Sequence, residues 1–337
     1  AEHMARRTVE VRHRWKFAGN RTRLILFWGF LLCTLPALAV PTYEQDADLI
    51  RNTYESQLYT LSAKKMGHYG LRMYRQTQDP KYAAAIWADM ARIVSKLNQI
   101  TAEVTTSEQI AAYSAQRVES SRNLKSTRAQ LRYQTVKQYP DYLYVSMDIL
   151  SKMARLNEYG LQHIQDARLR EIIRRYDFND YVTSPDMIRA WAAQLANQVY
   201  FFRELGEQDV VEPFIEAFRA TYPDERDSAL SDQQFMNKLY GMTHIVIAAS
   251  EYYQKPIKES DFQWIFDFYR THVDTILERS KLDVYAEVAI NFLLAGLDSD
   301  PLVARYRREI QQAINRDAGM IPGADGNLQL AKGGHRN

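Results

Sequence analysis

The 337-residue chain has one cysteine, Cys33, and only 13 glycines and 10 prolines. Beyond residue 39 there is no thiol, so disulfides, thiolate nucleophiles and cysteine-based zinc sites are excluded there. So few turn-forming residues argue against an all-β fold and for long helices. No stretch keeps the apolar/polar alternation of a strand. Glycine-rich phosphate loops, H-E-x-x-H helices, G-x-S-x-G elbows and calcium loops are all missing. What is present is ordinary for a globular protein: 46% hydrophobic and 25% charged residues. That balance excludes a disordered, collagen-like or multi-span membrane chain.

The first 39 residues differ from the rest. Arg6, Arg7, Arg12, Arg14, Lys16, Arg21 and Arg23 precede a nearly unbroken apolar run from Leu24 to Leu35. Pro36 and then Ala37-Leu38-Ala39 follow. A basic leader, a short apolar stretch and small residues at alternate positions read as a secretory signal peptide, 1–39. The alternative is an uncleaved anchor, since Leu24 to Val40 supplies about 17 residues, the bottom of the spanning range. Cleavage predicts a periplasmic or secreted protein beginning at Val40. Retention predicts an inner-membrane anchor with the domain outside, the membrane being met only through this segment.

The same division changes the charge. The whole chain carries a formal +2, but residues 40–337 keep 36 basic and 39 acidic residues, about −3. A mildly acidic body gives no support for nucleic-acid binding, which needs a basic footprint.

From Tyr43 onward, apolar residues recur at three- and four-residue spacing. The pattern predicts helices near 45–77, 80–100, 107–137, 141–158, 165–176, 185–204, 208–221, 232–253, 260–279, 282–296 and 301–317. The first has a possible break at Gly67 or Gly70. Ser184-Pro185 and Asp300-Pro301 each pair a capping side chain with a proline at the first helical position. Ser231 with Gln234 has capping-box spacing. No tetratricopeptide, ankyrin or leucine-rich period is visible. The expected fold is therefore all-α: one domain, 40–337, built as an array of antiparallel helical hairpins resembling an α/α toroid.

Several strings are distinctive. They are Gly67 to Thr77 (GHYGLRMYRQT), Ala190 to Tyr200 (AWAAQLANQVY), Thr243-His244 with Tyr252-Tyr253-Gln254, Asp283 to Leu297 (DVYAEVAINFLLAGL) and Gly333 to Asn337 (GGHRN). Together they resemble the bacterial family catalogued as domain of unknown function 3541, over most of residues 40–337. That family has no assigned activity, so the resemblance implies no mechanism. Its members end in Gly-Glu-His-Arg-Asn followed by one more apolar helix. This chain has Gly334 in place of the Glu and stops at Asn337, so the resemblance implies a domain 40–337 truncated at its C-terminus.

Candidate chemistry rests on a few residues. His244 begins an apolar run and is either a satisfied core histidine or a side chain pointing into a cavity. Glu251 lies on the same helix face, about 10 Å further along, too far to share a metal with it unaided. Asp283 and Glu287 share one face of an apolar helix. Asp283 suits the helix dipole. Glu287 needs a partner if buried, either an Arg or Lys of a neighbouring helix or a site on a cavity. His68 and Tyr69 lie between Gly67 and Gly70, which mark either a helix break beside a pocket or close helix packing. His335 and Arg336 lie in a glycine-rich tail and either bind an anion or are simply solvated. Trp191 and the tyrosines line a sugar-binding groove or belong to the core.

His244 and Glu287 are thus the catalytic candidates, and His68, Tyr69, Asp283, Glu251, His335 and Arg336 the ligand-binding ones. No metal or cofactor is implied. The expected function is an exported helical protein with a polar pocket that acts on or binds a small molecule, a glycan or another envelope molecule. The alternative is a non-catalytic scaffold for a protein partner.

Overall fold

A computed structural model of the chain describes residues 40–323, 326 and 328. The expected signal segment 1–39, with His335 and Arg336, lies outside the described residues. The described residues from Thr42 onward form helices joined by turns and contain no strand, only one isolated bridge between Asn315 and Met320. None of these helices is long and apolar enough to cross a membrane.

The order is α1 (Tyr43–Ser56), α2 (Ala63–Thr77), α3 (Ala83–Glu103), α4 (Ser107–Glu119) and α5 (Thr127–Val136). A π-helix, Tyr142–Leu150, then runs directly into α6 (Ser151–Glu158). After it come α7 (Asp166–Ile173), α8 (Phe178–Thr183), α9 (Pro185–Glu204), α10 (Val211–Thr221) and α11 (Asp232–Ala249). The last are α12 (Gln263–Thr271), α13 (Val273–Arg279), α14 (Leu282–Leu294) and α15 (Pro301–Gln312).

The expected caps form. Ser184 accepts from the Met187 amide, Asp300 from the Leu302 amide, and Ser231 and Gln234 make a reciprocal capping box. Each satisfies amides that a helix start leaves without intrahelical partners.

Several boundaries differ from the periodicity. The segment 45–77 is interrupted at 57–62, not at its glycines, because Ser62 caps a new helix. Helix α2 passes unbroken through Gly67 and Gly70, which serve close packing. A Cβ on Gly67 would sit 2.2 Å from the Asp89 Cβ, and one on Gly70 would sit 3.0 Å from the Ala85 Cβ. The segment 107–137 divides where Ser126 caps α5. Helix α11 ends at Ala249, four residues early, because Glu251, Tyr252 and Tyr253 all adopt left-handed backbone, with φ of 52°, 54° and 71°.

Helices α9 and α11 are buried along most of their length and pack on each other. Gly241 allows their approach, since a Cβ there would lie 3.1 Å from the Ala192 Cβ and closer still to the Phe218 ring. Helix α14 packs on α11 and α15, and α2 on α3. Helices α1 and α15 also touch, and buried Asp46 of α1 accepts from Gln311 and Arg316. One apolar cluster runs from Ile93 to Tyr306 and includes Trp191, only 7% exposed. Trp191 is therefore core, not the floor of an open groove.

Candidate functional site

Helix α14 carries Asp283, Glu287 and Asn291 at four-residue intervals, a polar line on an otherwise apolar helix. All three reach α11. Asp283 accepts from the Tyr240 hydroxyl, and Asn291 donates to the Thr243 carbonyl at 3.3 Å while accepting from Tyr269 at 2.8 Å. Between them, Glu287 accepts from the Thr243 hydroxyl at 2.7 Å, and its other oxygen lies 3.6 Å from His244 Nε2. On its opposite edge, His244 Nδ1 lies 3.0 Å from Asn197 Oδ1 of α9. With the amide oxygen facing it, Nδ1 is the donor.

Glu287 therefore does not take an Arg or Lys partner among the described residues. Its partners are a hydroxyl and a titratable ring. Both side chains of the His244–Glu287 pair keep 18% of their surface, so the pair is confined but reachable by water.

His68 approaches the pair from α2. Its imidazole is pushed down to about 2 by burial, reinforced by the positive charges of Arg72, Arg155, Lys64 and His244. A ring in such a field stays neutral. Helix α2 presents Lys64, His68, Arg72 and Arg75 as a stripe at four- and three-residue spacing. Helix α6 carries Lys152, Arg155 and Glu158, and Tyr159 caps its end. Arg75 bonds Glu158 at 3.4 Å and the Tyr252 carbonyl at 3.0 Å, and the Tyr159 hydroxyl donates to Asp89 at 2.7 Å. The left-handed turn places Tyr252 and Tyr253 against Arg72, 5.0 and 5.6 Å from their ring centres. Burial pushes both phenols up.

Lys64 remains open to solvent, yet its ammonium is pushed down by burial and by Arg92 and Arg155. Lys152 is pushed down to about 8, mainly by burial.

Not every expected residue joins this group. Tyr69 points away, toward α1, where it donates to Glu55 at 3.2 Å and stacks on Tyr54 at 5.7 Å. Successive residues on a helix diverge by about 100°, so His68 and Tyr69 could not face the same space. Glu251 leaves the α11 face because the helix ends first, and it pairs with Lys255. Asp283 lies at the edge, tied to Tyr240. Neither His163 nor His272 belongs here. His163 bonds Asn98 at 2.7 Å and accepts from the Gln165 amide, and His272 stacks on Phe268.

The sequence reading met Asn197, Thr243, Arg72, Tyr252 and Tyr253 only within its distinctive strings, and offered neither these nor Arg155 as site residues. The cationic stripe of α2 was visible as spacing, as was the line through Asn291. The left-handed turn had no signal, since none of its residues is glycine or asparagine.

Among the described residues no three His, Cys, Asp or Glu side chains converge as a metal set would require. A surface recess of about 310 Å³ lies elsewhere, beside Gly160, His163 and Leu205. Its charges are matched, with Arg170 paired to Asp166 and Glu207, so it offers no group in need of a ligand.

No curated protein and no solved structure matches the chain. One family model does, over residues 43–337, and that span includes every residue of the site just described. The chain belongs to that family, the domain of unknown function DUF3541.

Proposed function

We propose that this is an exported helical protein whose work is done at the His244–Glu287 pair, where it binds or transforms a polar molecule of the cell envelope, such as a glycan. The observation that carries this reading is the choice of partner for Glu287. A carboxylate placed only for stability is well served by a permanent cation. This one is matched to a hydroxyl and to a histidine, a side chain able both to give and to accept a proton. A carboxylate and an imidazole in contact, each oriented by a neighbour, can pass a proton to and from a ligand. Asn197 fixes the ring and Thr243 fixes the carboxylate, so both are held in defined orientations while still partly exposed.

Location follows from the leader: a basic segment, the apolar run from Leu24 to Leu35 and the Ala37-Leu38-Ala39 site support export to the periplasm or beyond. The contact between α1 and α15 supports a closed, toroid-like array.

The test is a pair of variants, Glu287→Gln and His244→Asn, compared with the unaltered exported chain for binding to envelope glycans and peptidoglycan fragments. Both should keep their helicity and melt within about 3 °C of the parent, a shift of roughly 1 kcal/mol for a domain of this size, while losing binding. A large fall in melting temperature, with no envelope ligand bound by the parent, would instead make the pair structural and favour a scaffold for a protein partner.

A further inference from the structure

We propose that Arg132 of α5 is a positioning residue for His244: it holds the bend in α9 that brings Asn197 against the imidazole. What the held ring is for rests on the proposed function. That Arg132 holds it does not.

Helix α9 runs from Pro185 to Glu204, yet Trp191 inside it has φ of −134° and ψ of 25°, far from helical values of about −63° and −42°. Helices bend at proline, at glycine or serine, at a π-bulge, or where a side chain or water enters the hydrogen-bond ladder. Ile188 to Leu195 (IRAWAAQL) has no proline, glycine or serine and no π-helical turn. A side chain does enter. Arg132 Nε donates to the Ala190 carbonyl at 3.0 Å, and its Nη2 donates to Gln194 Oε1 at 3.0 Å. Its guanidinium lies 4.2 Å from the centre of the Trp191 ring. These contacts bracket the non-helical residue. In an unbroken helix the Ala190 carbonyl would accept from the Gln194 amide. Here it meets a rigid planar fork that grips the Gln194 side chain as well, so both acceptors are held in a fixed relation.

The bend lies between two contacts of α9 with α11. Before it, Asn237 of α11 donates to the Ile188 carbonyl at 3.0 Å; after it, Asn197 meets His244 Nδ1 at 3.0 Å. From the first contact to the second α9 advances nine residues, 188 to 197, and α11 seven, 237 to 244. At 1.5 Å per residue these spans are about 13.5 and 10.5 Å. A straight α9 would carry a mismatch of about 3 Å, as long as a hydrogen bond itself. The bend takes it up, because the packing between the two contacts has no slack: a Cβ on Gly241 would lie 3.1 Å from the Ala192 Cβ. Gln194 is the link to the site. It precedes Asn197 by one turn on the same side of α9, so the group that Arg132 grips and the group that orients His244 move together.

The experiment follows the proton on His244 Nδ1 by NMR of the isotope-labelled exported full chain, the signal being assigned by its loss in His244→Asn. Bonded to Asn197, this proton should exchange slowly with water, and Asn197→Ala should abolish the protection. Arg132→Ala should speed exchange by about tenfold or more, while the backbone amides of α14 keep the parent's rates. Arg132→Lys retains the positive charge but cannot hold both acceptors, and should speed it by about threefold or more. A residue that only stabilised α9 would lower the melting temperature and leave this proton as protected as before. No ligand is needed, so failure of the envelope-ligand reading would leave the result standing. In a chain that does bind peptidoglycan fragments, Arg132→Lys should weaken that binding too. Exchange in Arg132→Lys equal to the parent's overturns the proposal, whether or not Arg132→Ala folds, and so does a protected proton that survives Asn197→Ala.

Discussion

Gly67 of α2 faces Asp89 of α3 so closely that a Cβ on the glycine would lie 2.2 Å from the Cβ of the aspartate. Asp89 cannot yield. It is buried, paired with Arg92 and bonded by the Tyr159 hydroxyl. Gly67→Ala should therefore separate α2 from α3 and cost about 2 kcal/mol or more, as overpacking does. A urea titration would show it as a lower midpoint, and an unchanged midpoint would mean that the helices part easily.

His68 gives the fold an acid sensitivity. Its folded value, about 2, lies far below the ordinary 6.5. Between those values the unfolded chain binds the proton that the folded chain refuses, so stability is full above about pH 6.5 and falls as pH drops. The groups acting on it are Arg72 and Lys64 on its own helix, Arg155 on α6 and His244 on α11. From pH 6 to pH 4 its contribution to the loss should be about 1–2 kcal/mol, after allowance for solvent screening. His68→Gln, which takes no proton, should flatten that part of the stability-against-pH curve. Parallel curves for parent and variant would contradict it.

Glu204 works in the opposite sense. Burial, with Glu251 and Glu158 nearby, raises its carboxyl from 4.5 to about 7, against the pull of Lys255 and Arg75. The folded chain holds this proton more tightly, so the term favours folding at low pH and is lost as pH rises from about 4.5 to about 7. Glu204→Gln should raise stability at pH 8, by on the order of 1 kcal/mol once screening is allowed for, and change little at pH 4. Thermal melts at the two pH values would decide.

Glu251 carries backbone strain with little side-chain return. Its φ is 52°, and its carboxylate, 39% exposed, pairs only with Lys255 among the described residues. Glycine adopts that backbone freely, so Glu251→Gly should stabilise the fold by about 1 kcal/mol. It should also lower the Glu204 carboxyl by removing a neighbouring negative charge. A fall in melting temperature would show that the turn depends on the Glu251 side chain.

Export is tested directly. Expressed in a Gram-negative host, the chain should accumulate in the periplasm with Val40 as its new first residue. Intact-mass measurement showing the leader retained, in a membrane fraction, would establish the anchor instead.

What the sequence determined by itself was local. Spacing and caps follow from a few neighbouring residues, so Ser184-Pro185, Ser231 with Gln234 and Asp300-Pro301 marked true helix starts, and the all-helical class was legible from periodicity and scarce glycine. The placement of Glu287 in an apolar helix was equally legible, and with it the need for a partner. Which partner was not. His244 lies 43 positions earlier, Asn197 a further 47, and only the packing of α9, α11 and α14 brings the three together. The same holds for the glycines of α2, which a linear reading can take as a break and which prove to be a helix contact because α3 lies there. Three left-handed residues at 251–253 were invisible for a physical reason. Their residue types disfavour that backbone, so it forms only where Arg75, Arg72 and the surrounding helices hold it in place. The composition of each helix was written locally, and the contact of His244 with Glu287 and Asn197 exists only because three such helices pack together.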